Sequence, residues 1–288
     1  MSAADSPGVV RHVRPAAGLG TLPGTLIDAT PASVGWQYLS FRVLALALGQ
    51  TIEADTGASE IAIVPLGGSG WFRFDGATHQ VSRRDVFTDK PHVLYLPPRT
   101  AYTIGAEGPF EVAIGSAPAE GRYPARLYAP AELPSFVRGG ANASRGVTVD
   151  LDPAFPSERL IAYEIVTPSG NWSSFPPHRH DGRLGTTYHE ESYYYRLAPA
   201  DGFAIQRIYT RDTPLDVSIA VGDGDLVLVH EGYHAVVTAP GTNAWYLNFL
   251  AGESKPVTQL NDPAYDWIKD EWTGKPMAIP IPAPLETT

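Results

Sequence analysis

The chain contains no cysteine. That absence removes thiolate nucleophiles, Cys-liganded zinc and iron–sulfur clusters, and it leaves nothing to staple a small secreted scaffold. Long apolar runs are missing too. The longest, Val43–Leu48, is far too short to cross a bilayer, and Met1–Gly20 has no continuous apolar stretch of the length a secretory signal needs. A soluble, cytoplasmic protein with no membrane partner is expected. Amphipathic helices with caps are scarce, Pro263–Glu271 being the best candidate. Lysine is rare: 4 of the 21 basic residues are Lys and 17 are Arg. Positive charge is in deficit, the net being −10, with 10 basic against 19 acidic side chains in residues 145–288. A surface of that balance repels phosphate backbones, which argues against nucleic acid as a partner.

What is present favours strands. Gly 28 and Pro 27 supply frequent turns, and 43% hydrophobic with 10% aromatic residues is enough to build a core. Short apolar stretches recur at Ile61–Leu66, Trp71–Phe74, Val93–Leu96 and Phe110–Ile114. They return at Leu160–Val166, Ser192–Leu197, Phe203–Tyr209, Leu226–Val229, Ala235–Val237 and Ala244–Leu250. Many strands with little helix imply an all-β sandwich or barrel, a class that includes the double-sheet jelly rolls. Weak internal similarity points to two copies of one unit. Glu60-Ile-Ala-Ile-Val-Pro-Leu66 resembles Glu191-Ser-Tyr-Tyr-Tyr-Arg-Leu197, and Pro98-Arg-Thr-Ala-Tyr102 aligns with His230-Glu-Gly-Tyr-His234. The expected organisation is one barrel in residues 1–120, a connecting segment in 121–156, and a second barrel with a C-terminal extension in 157–288.

The densest chemical signal is His178-Arg-His180. On an extended strand, residues two apart point the same way, so both imidazoles share a face and Arg179 points opposite. A third nitrogen is available from His234, after the turn-like Glu231-Gly-Tyr, and an acidic ligand from Glu190 or Glu191. Three nitrogens and one carboxylate suit a divalent metal, Zn²⁺ foremost, with Mn²⁺ or Fe²⁺ also accommodated.

These motifs resemble the metal motifs of cupins. The surrounding words are Phe175-Pro-Pro-His-Arg-His-Asp181, Glu190-Glu-Ser-Tyr-Tyr-Tyr-Arg196, Gly202-Phe-Ala-Ile-Gln-Arg-Ile-Tyr-Thr210, Asp223-Gly-Asp-Leu-Val-Leu-Val229 and Gly232-Tyr-His234, followed by Tyr246–Gly252 and Asn261-Asp-Pro263. Together they resemble the 5-deoxy-glucuronate isomerases of inositol catabolism, relatives of the ketol-isomerases acting on 4-deoxy-5-ketohexuronate from pectin. The resemblance implies a tandem cupin (bicupin) fold and a metal held by His178, His180, His234 and Glu191, with Glu190 as second choice for the acid. Tyr193 and Tyr195 are then inward, and Ser192 and Tyr194 outward. Two departures from the pattern stand out. The spacer between His180 and Glu191 is long and contains His189, and His230 occupies a position where related motifs carry Pro.

The activity so implied is aldose–ketose isomerisation of 5-deoxy-D-glucuronate through an enediol, which needs a proton carrier as well as a Lewis acid. Glu190, His189 and a cavity tyrosine, Tyr193, are candidates for the carrier. Arg207 is the candidate for the substrate carboxylate, with Gln206 and Tyr195 beside it. The first half shows only Glu53, Asp55 and Glu60 at comparable spacing and Tyr102 where His234 would stand, so a degenerate, structural barrel is expected there. Competing readings are isomerisation of the pectin-derived ketouronate, an iron cupin dioxygenase and a non-enzymatic sugar-binding bicupin. A homo-oligomer formed through exposed strand edges is compatible with all of them.

Overall fold

The computed structural model describes residues 10–13, 22–152 and 155–276, and it is built almost wholly of strands. β1 (Val10–Val13) is followed by the strands of a first barrel. These are β2 (Thr25–Ala29), β3 (Ser40–Leu46), β4 (Thr51–Asp55), β5 (Ser59–Phe74), β6 (Ala77–Arg83), β7 (Val93–Leu96), β8 (Ala101–Pro118) and β9 (Arg126–Tyr128), all antiparallel in one eight-stranded sheet. Two sheets make the second barrel. One runs in the order β1, β17 (Leu226–Val229), β14 (His189–Ala198), β19 (Asn243–Gly252), β12 (Ile161–Thr167), β11 (Arg145–Leu151) and β10 (Ser135–Arg138). Facing it are β16 (Asp216–Val221), β15 (Ala204–Tyr209), β18 (Tyr233–Thr238), β13 (Trp172–Arg179) and β20 (Leu260–Asn261). This is the expected all-β tandem of cupin barrels.

The segment 121–156 is not a free connector. β9 joins the first sheet, whereas β10 and β11 widen the second. β1 likewise crosses over to pair with β17, register Val10 with Val229. The C-terminal helix is shorter than Pro263–Glu271. α2 occupies Trp267–Trp272, because Asp262 is buried and bonded to Tyr209 and Arg211, and a turn from Asp262 to Tyr265 precedes the helix.

Three apolar clusters give the molecule its cohesion. The first barrel is filled by its own core, including Leu44, Ile61, Ile63, Phe72, Ile104 and Phe110. A second cluster, with Tyr193, Tyr195, Ile208, Val236 and Tyr246, lies inside the other barrel. The largest lies between the barrels and packs Phe41, Val43, Ala62 and Tyr95 of one against Tyr194, Trp245, Leu247 and Phe249 of the other. Backbones approach closely there: a Cβ on Gly115 would sit 2.4 Å from the Phe249 ring. β14 therefore shows almost no polar alternation, since one face looks into its barrel and the other into this interface.

Polar ties cross the same interface. Arg83 makes two 2.7 Å bonds to Glu164, both side chains being buried, and Arg196 pairs with Glu111. Glu60 and Glu190 each bind backbone of the opposite half, which makes them structural equivalents. The internal repeat is therefore offset by one from the sequence alignment: Glu60 corresponds to Glu190, and Ile61 takes the place of Glu191.

Candidate metal centre

Two sheets deliver the cluster. β13 carries His178 one residue before its end at Arg179 and the chain runs on into His180, while β18 carries His234 directly opposite His178 in the antiparallel register. Ring centroids of His178 and His234 are 4.6 Å apart, and those of His180 and His234 are 5.2 Å apart. One nitrogen from each of the three rings falls within 4.8 Å of the others. Glu191 arrives from the facing sheet, its Oε2 3.0 Å from Nε2 of both His180 and His234.

The arrangement is held from behind. Arg179 points away from the imidazoles, as strand alternation requires, is buried, and bonds Asp181 at 2.6 and 2.9 Å. Asp181 also accepts the Gly232 N–H at 2.8 Å, tying the two-histidine strand to the turn that precedes His234. Each imidazole directs Nδ1 to a backbone carbonyl: His180 to His189 at 3.1 Å, His234 to Gly232 at 3.3 Å, His178 to Pro176 at 3.4 Å. A carbonyl only accepts, so Nδ1 carries the proton and Nε2 presents its lone pair, the tautomer a metal ligand needs.

That geometry is a test of fit. Nε2 of His234 is buried and makes no hydrogen bond, although a carboxylate oxygen lies 3.0 Å away. A lone pair facing an anion at that range is repulsive unless a cation lies between or a proton is taken up. Burial alone would raise the Glu191 carboxyl, but His180 and His234 outweigh it and hold it well below the usual carboxylate range. Burial lowers His178, helped by the neighbouring imidazoles. His180 loses by burial but is raised on balance by Glu191. With each Nδ1 turned to a carbonyl, three imidazole nitrogens converge beside an anionic carboxylate, a donor set that fits a divalent cation.

The cluster opens on a cavity of about 900 Å³, whose wall includes His178, His180, Glu191 and Tyr193. Burial keeps the Tyr193 phenol protonated by pushing it well above its ordinary value, and its Oη lies 3.1 Å from Ser174 Oγ.

Other expected residues lie elsewhere. Glu190 turns its carboxylate toward the first barrel, accepting the N–H groups of Gln37, Tyr38 and Leu39 at 2.6, 2.9 and 2.7 Å, so it does not face the cavity. α1 (Pro31–Val34), capped by Thr30 and ended by left-handed Gly35, brings that backbone into place. His189 is buried between the Thr187 hydroxyl at 3.0 Å and the Ser254 carbonyl at 2.8 Å, and burial pushes it down to about 4. Arg207 falls on the outward face of β15, paired with Asp216 at 2.7 Å and lying over the Tyr209 ring at 4.2 Å. Gln206 points inward but lies fully buried beneath the cavity wall, taking the Tyr195 hydroxyl at 2.8 Å. These are corrections for Glu190 and His189 as proton carriers and for Arg207, Gln206 and Tyr195 as substrate contacts. His230 bonds the Val34 carbonyl and packs on Trp36, serving the barrel interface rather than the cluster.

Sequence reasoning missed Arg145, Tyr163, Ser174, Tyr246 and Asn248, all on the cavity wall. Period-two alternation along β19 would have put Tyr246 and Asn248 on one face. Arg145 lay in the stretch read as a connector.

Comparison with known proteins agrees with this architecture. The KduI/IolB family model matches residues 16–268. The chain is 39% identical over 252 residues to the 5-deoxy-glucuronate isomerase of Geobacillus kaustophilus, covering 86% of this chain and 91% of that one. Identity to the enzyme of the same name from Bacillus subtilis is 34% over 247 residues, with 84% and 91% covered. A crystal structure of an IolB-like protein from Salmonella typhimurium superposes with TM-score 0.83 at 31% identity, over 90% of this chain and 98% of that one. A mutant of Bacillus subtilis oxalate decarboxylase shares the fold at TM-score 0.62 and 12% identity, over 87% of this chain and 78% of that one. With its two barrels, its cluster in the second, and a family match spanning nearly its whole length, the chain belongs to the KduI/IolB family.

Proposed function

We propose that this protein is a metal-dependent isomerase that converts 5-deoxy-D-glucuronate into 5-dehydro-2-deoxy-D-gluconate, an aldose–ketose step of inositol breakdown carried out in the cytoplasm. The observation that carries the reading is the meeting of His178, His180, His234 and Glu191, with His178, His180 and Glu191 on the wall of a cavity of about 900 Å³ and His234 buried behind them, in a chain related over most of its length to proteins named 5-deoxy-glucuronate isomerase. These four residues would hold the cation, zinc by preference. When bound it acts as a Lewis acid, stabilising negative charge on adjacent oxygens of an α-hydroxy aldehyde.

The rest falls to the protein. The reaction moves a proton from C2 to C1, and its hydroxyl proton from O2 to O1. Glu191 is the sole carboxylate among the described residues lining the cavity. Its Oε2 lies against two imidazoles, which leaves Oε1 to carry the C–H proton. Tyr193, kept protonated by burial, donates from Oη to the substrate oxygen on which charge develops. Ile161, Ile165 and Leu250 make part of the wall apolar, which limits water beside the exchanging proton.

The test is direct. Metal-loaded protein incubated with 5-deoxy-D-glucuronate in D₂O and followed by NMR should give the ketose with deuterium at C1. Absence of conversion with metal bound rejects the reading, and conversion only of 4-deoxy-5-ketohexuronate transfers it to the pectin-derived substrate.

A further inference from the structure

We propose that Arg145 binds the carboxylate of the substrate and makes the cavity select uronic over neutral sugars, an inference that rests on the isomerase reading. The sequence position first chosen for this task, Arg207, faces outward and already holds Asp216. Arg145 begins β11 and lies on the same face as Val147, and both line the cavity.

Its bonding is incomplete. Nη1 donates to the Ala143 carbonyl at 2.9 Å, and no carboxylate among the described residues forms an ion pair with the guanidinium. The two fully buried arginines are matched, Arg83 by Glu164 and Arg179 by Asp181, whereas Arg145 is half-buried at the cavity wall and unmatched among the described residues. A guanidinium stays charged under all ordinary conditions, so an unmatched, half-buried one on a cavity wall is poised to take an anion. Burial indeed lowers the Arg145 group.

A second, independent observation points the same way. Arg145 stands directly opposite Arg138 in the β10–β11 register, and Arg138 also lines the cavity. Like charges on facing positions of an antiparallel pair are destabilising, and a carboxylate shared between them removes the repulsion. Lys269 of α2 adds a third cation to this wall. In a chain of net charge −10, the cavity is thus locally cationic, Glu191 being its one carboxylate among the described residues and already engaged by imidazoles.

The placement suits the substrate. Its carboxylate is C6, at the opposite end from the reacting C1 and C2. Aromatic rings link the two poles of the cavity: His234 to Tyr193 at 5.8 Å, then Tyr193 to Tyr246 at 5.1 Å, with Tyr246 near enough to feel the Arg145 charge. An open-chain uronate laid along these tyrosines has its aldehyde at the histidines and its carboxylate at the arginines.

The experiment uses full-length, metal-loaded protein and two probes, D-glucuronate and neutral D-glucose, titrated calorimetrically and as inhibitors. Wild type should prefer glucuronate by about tenfold or more, a value in the range of one charge-assisted bidentate contact. Arg145→Gln should abolish the preference, keep its metal, and raise KM for 5-deoxy-D-glucuronate far more than it lowers kcat. Arg207→Gln should behave as wild type. Undiminished preference in Arg145→Gln, or no preference in wild type, overturns the proposal. Should the Gln variant fail to fold, Arg145→Lys decides: it keeps the charge but loses the fork, so binding should weaken several-fold, and unchanged binding overturns the proposal. Wild type that prefers glucuronate through Arg145 yet turns over no deoxy-uronate would defeat the isomerase reading and leave the recognition standing.

Discussion

Glu60 and Glu190 perform one task from opposite sides of the molecule. Glu60 accepts the N–H groups of Glu158, Arg159 and Leu160 at 2.7, 2.6 and 2.8 Å, just before β12, and the Tyr95 hydroxyl at 2.8 Å. Glu190 accepts those of Gln37, Tyr38 and Leu39, just before β3, and the Tyr188 hydroxyl at 3.1 Å. Both glutamates are completely buried. Each barrel thus grips the backbone entering the other, and the residue after the clamp marks the difference between the halves: Ile61 in the first barrel and Glu191 in the second.

The clamp predicts a purely structural phenotype. Glu190→Ala leaves three backbone donors without an acceptor at a buried interface, and should cost about 3 kcal/mol or more. Denaturant midpoints would measure it, with metal content unchanged in the folded protein. Loss of turnover at undiminished stability would return Glu190 to the chemistry.

Removing a ligand acts differently. His178→Ala and His234→Ala should lose metal and activity together, the fold remaining because the barrel cores lie elsewhere. Metal analysis beside turnover checks this, and full activity in either variant removes the cation from the mechanism.

Chelation offers a second measure of the same site. A cation bound only by the folded state stabilises it by mass action, about 2.7 kcal/mol at a hundredfold excess over Kd. Treatment with EDTA should lower Tm, and added Zn²⁺ should restore it in wild type but not in His234→Ala.

Tyr193→Phe separates proton donation from metal binding. It removes Oη while preserving the ring that packs on Tyr246. Metal should stay bound and kcat should fall about 10² to 10⁴-fold, the range for a positioned general acid. A change confined to KM would reduce Tyr193 to a binding group.

Lys255 makes a pH prediction. Burial pushes its ammonium down to about 8, against an ordinary 10.5, while it donates to the Phe155 carbonyl. Between these values the unfolded chain binds the extra proton, so stability should rise with pH across that window, the full cost being present below about 8. Lys255→Met should flatten this rise in a series of denaturation curves, and an unchanged slope would refute the assignment.

Much of the site was legible before any fold. His178 and His180 declare themselves because their spacing is that of one strand face, and alternation puts Arg179 behind them, where Asp181 receives it. The inward tyrosine Tyr193 follows from the same rule applied to β14. The rule fails at Arg207, whose strand was recognised but whose inward face was not. Alternation does not by itself choose between Glu190 and Glu191; the resemblance selected Glu191, and the structure sets it beside the imidazoles while Glu190 turns to the opposite barrel. Arg145 escaped because β11 is short of hydrophobic signal at its start and sits among Gly, Ala and Ser.

Composition and local periodicity determined that this chain is β-rich, duplicated and furnished with imidazoles on one strand, since those properties depend on neighbours one or two residues away. Tertiary structure decided what the second acid, Glu190, binds, which arginine enters the cavity, and that the first barrel is filled with isoleucine and phenylalanine instead of ligands. Those outcomes depend on what covers each strand face, and the covering residues come from contacts more than a hundred positions distant, such as Glu190 with Gln37.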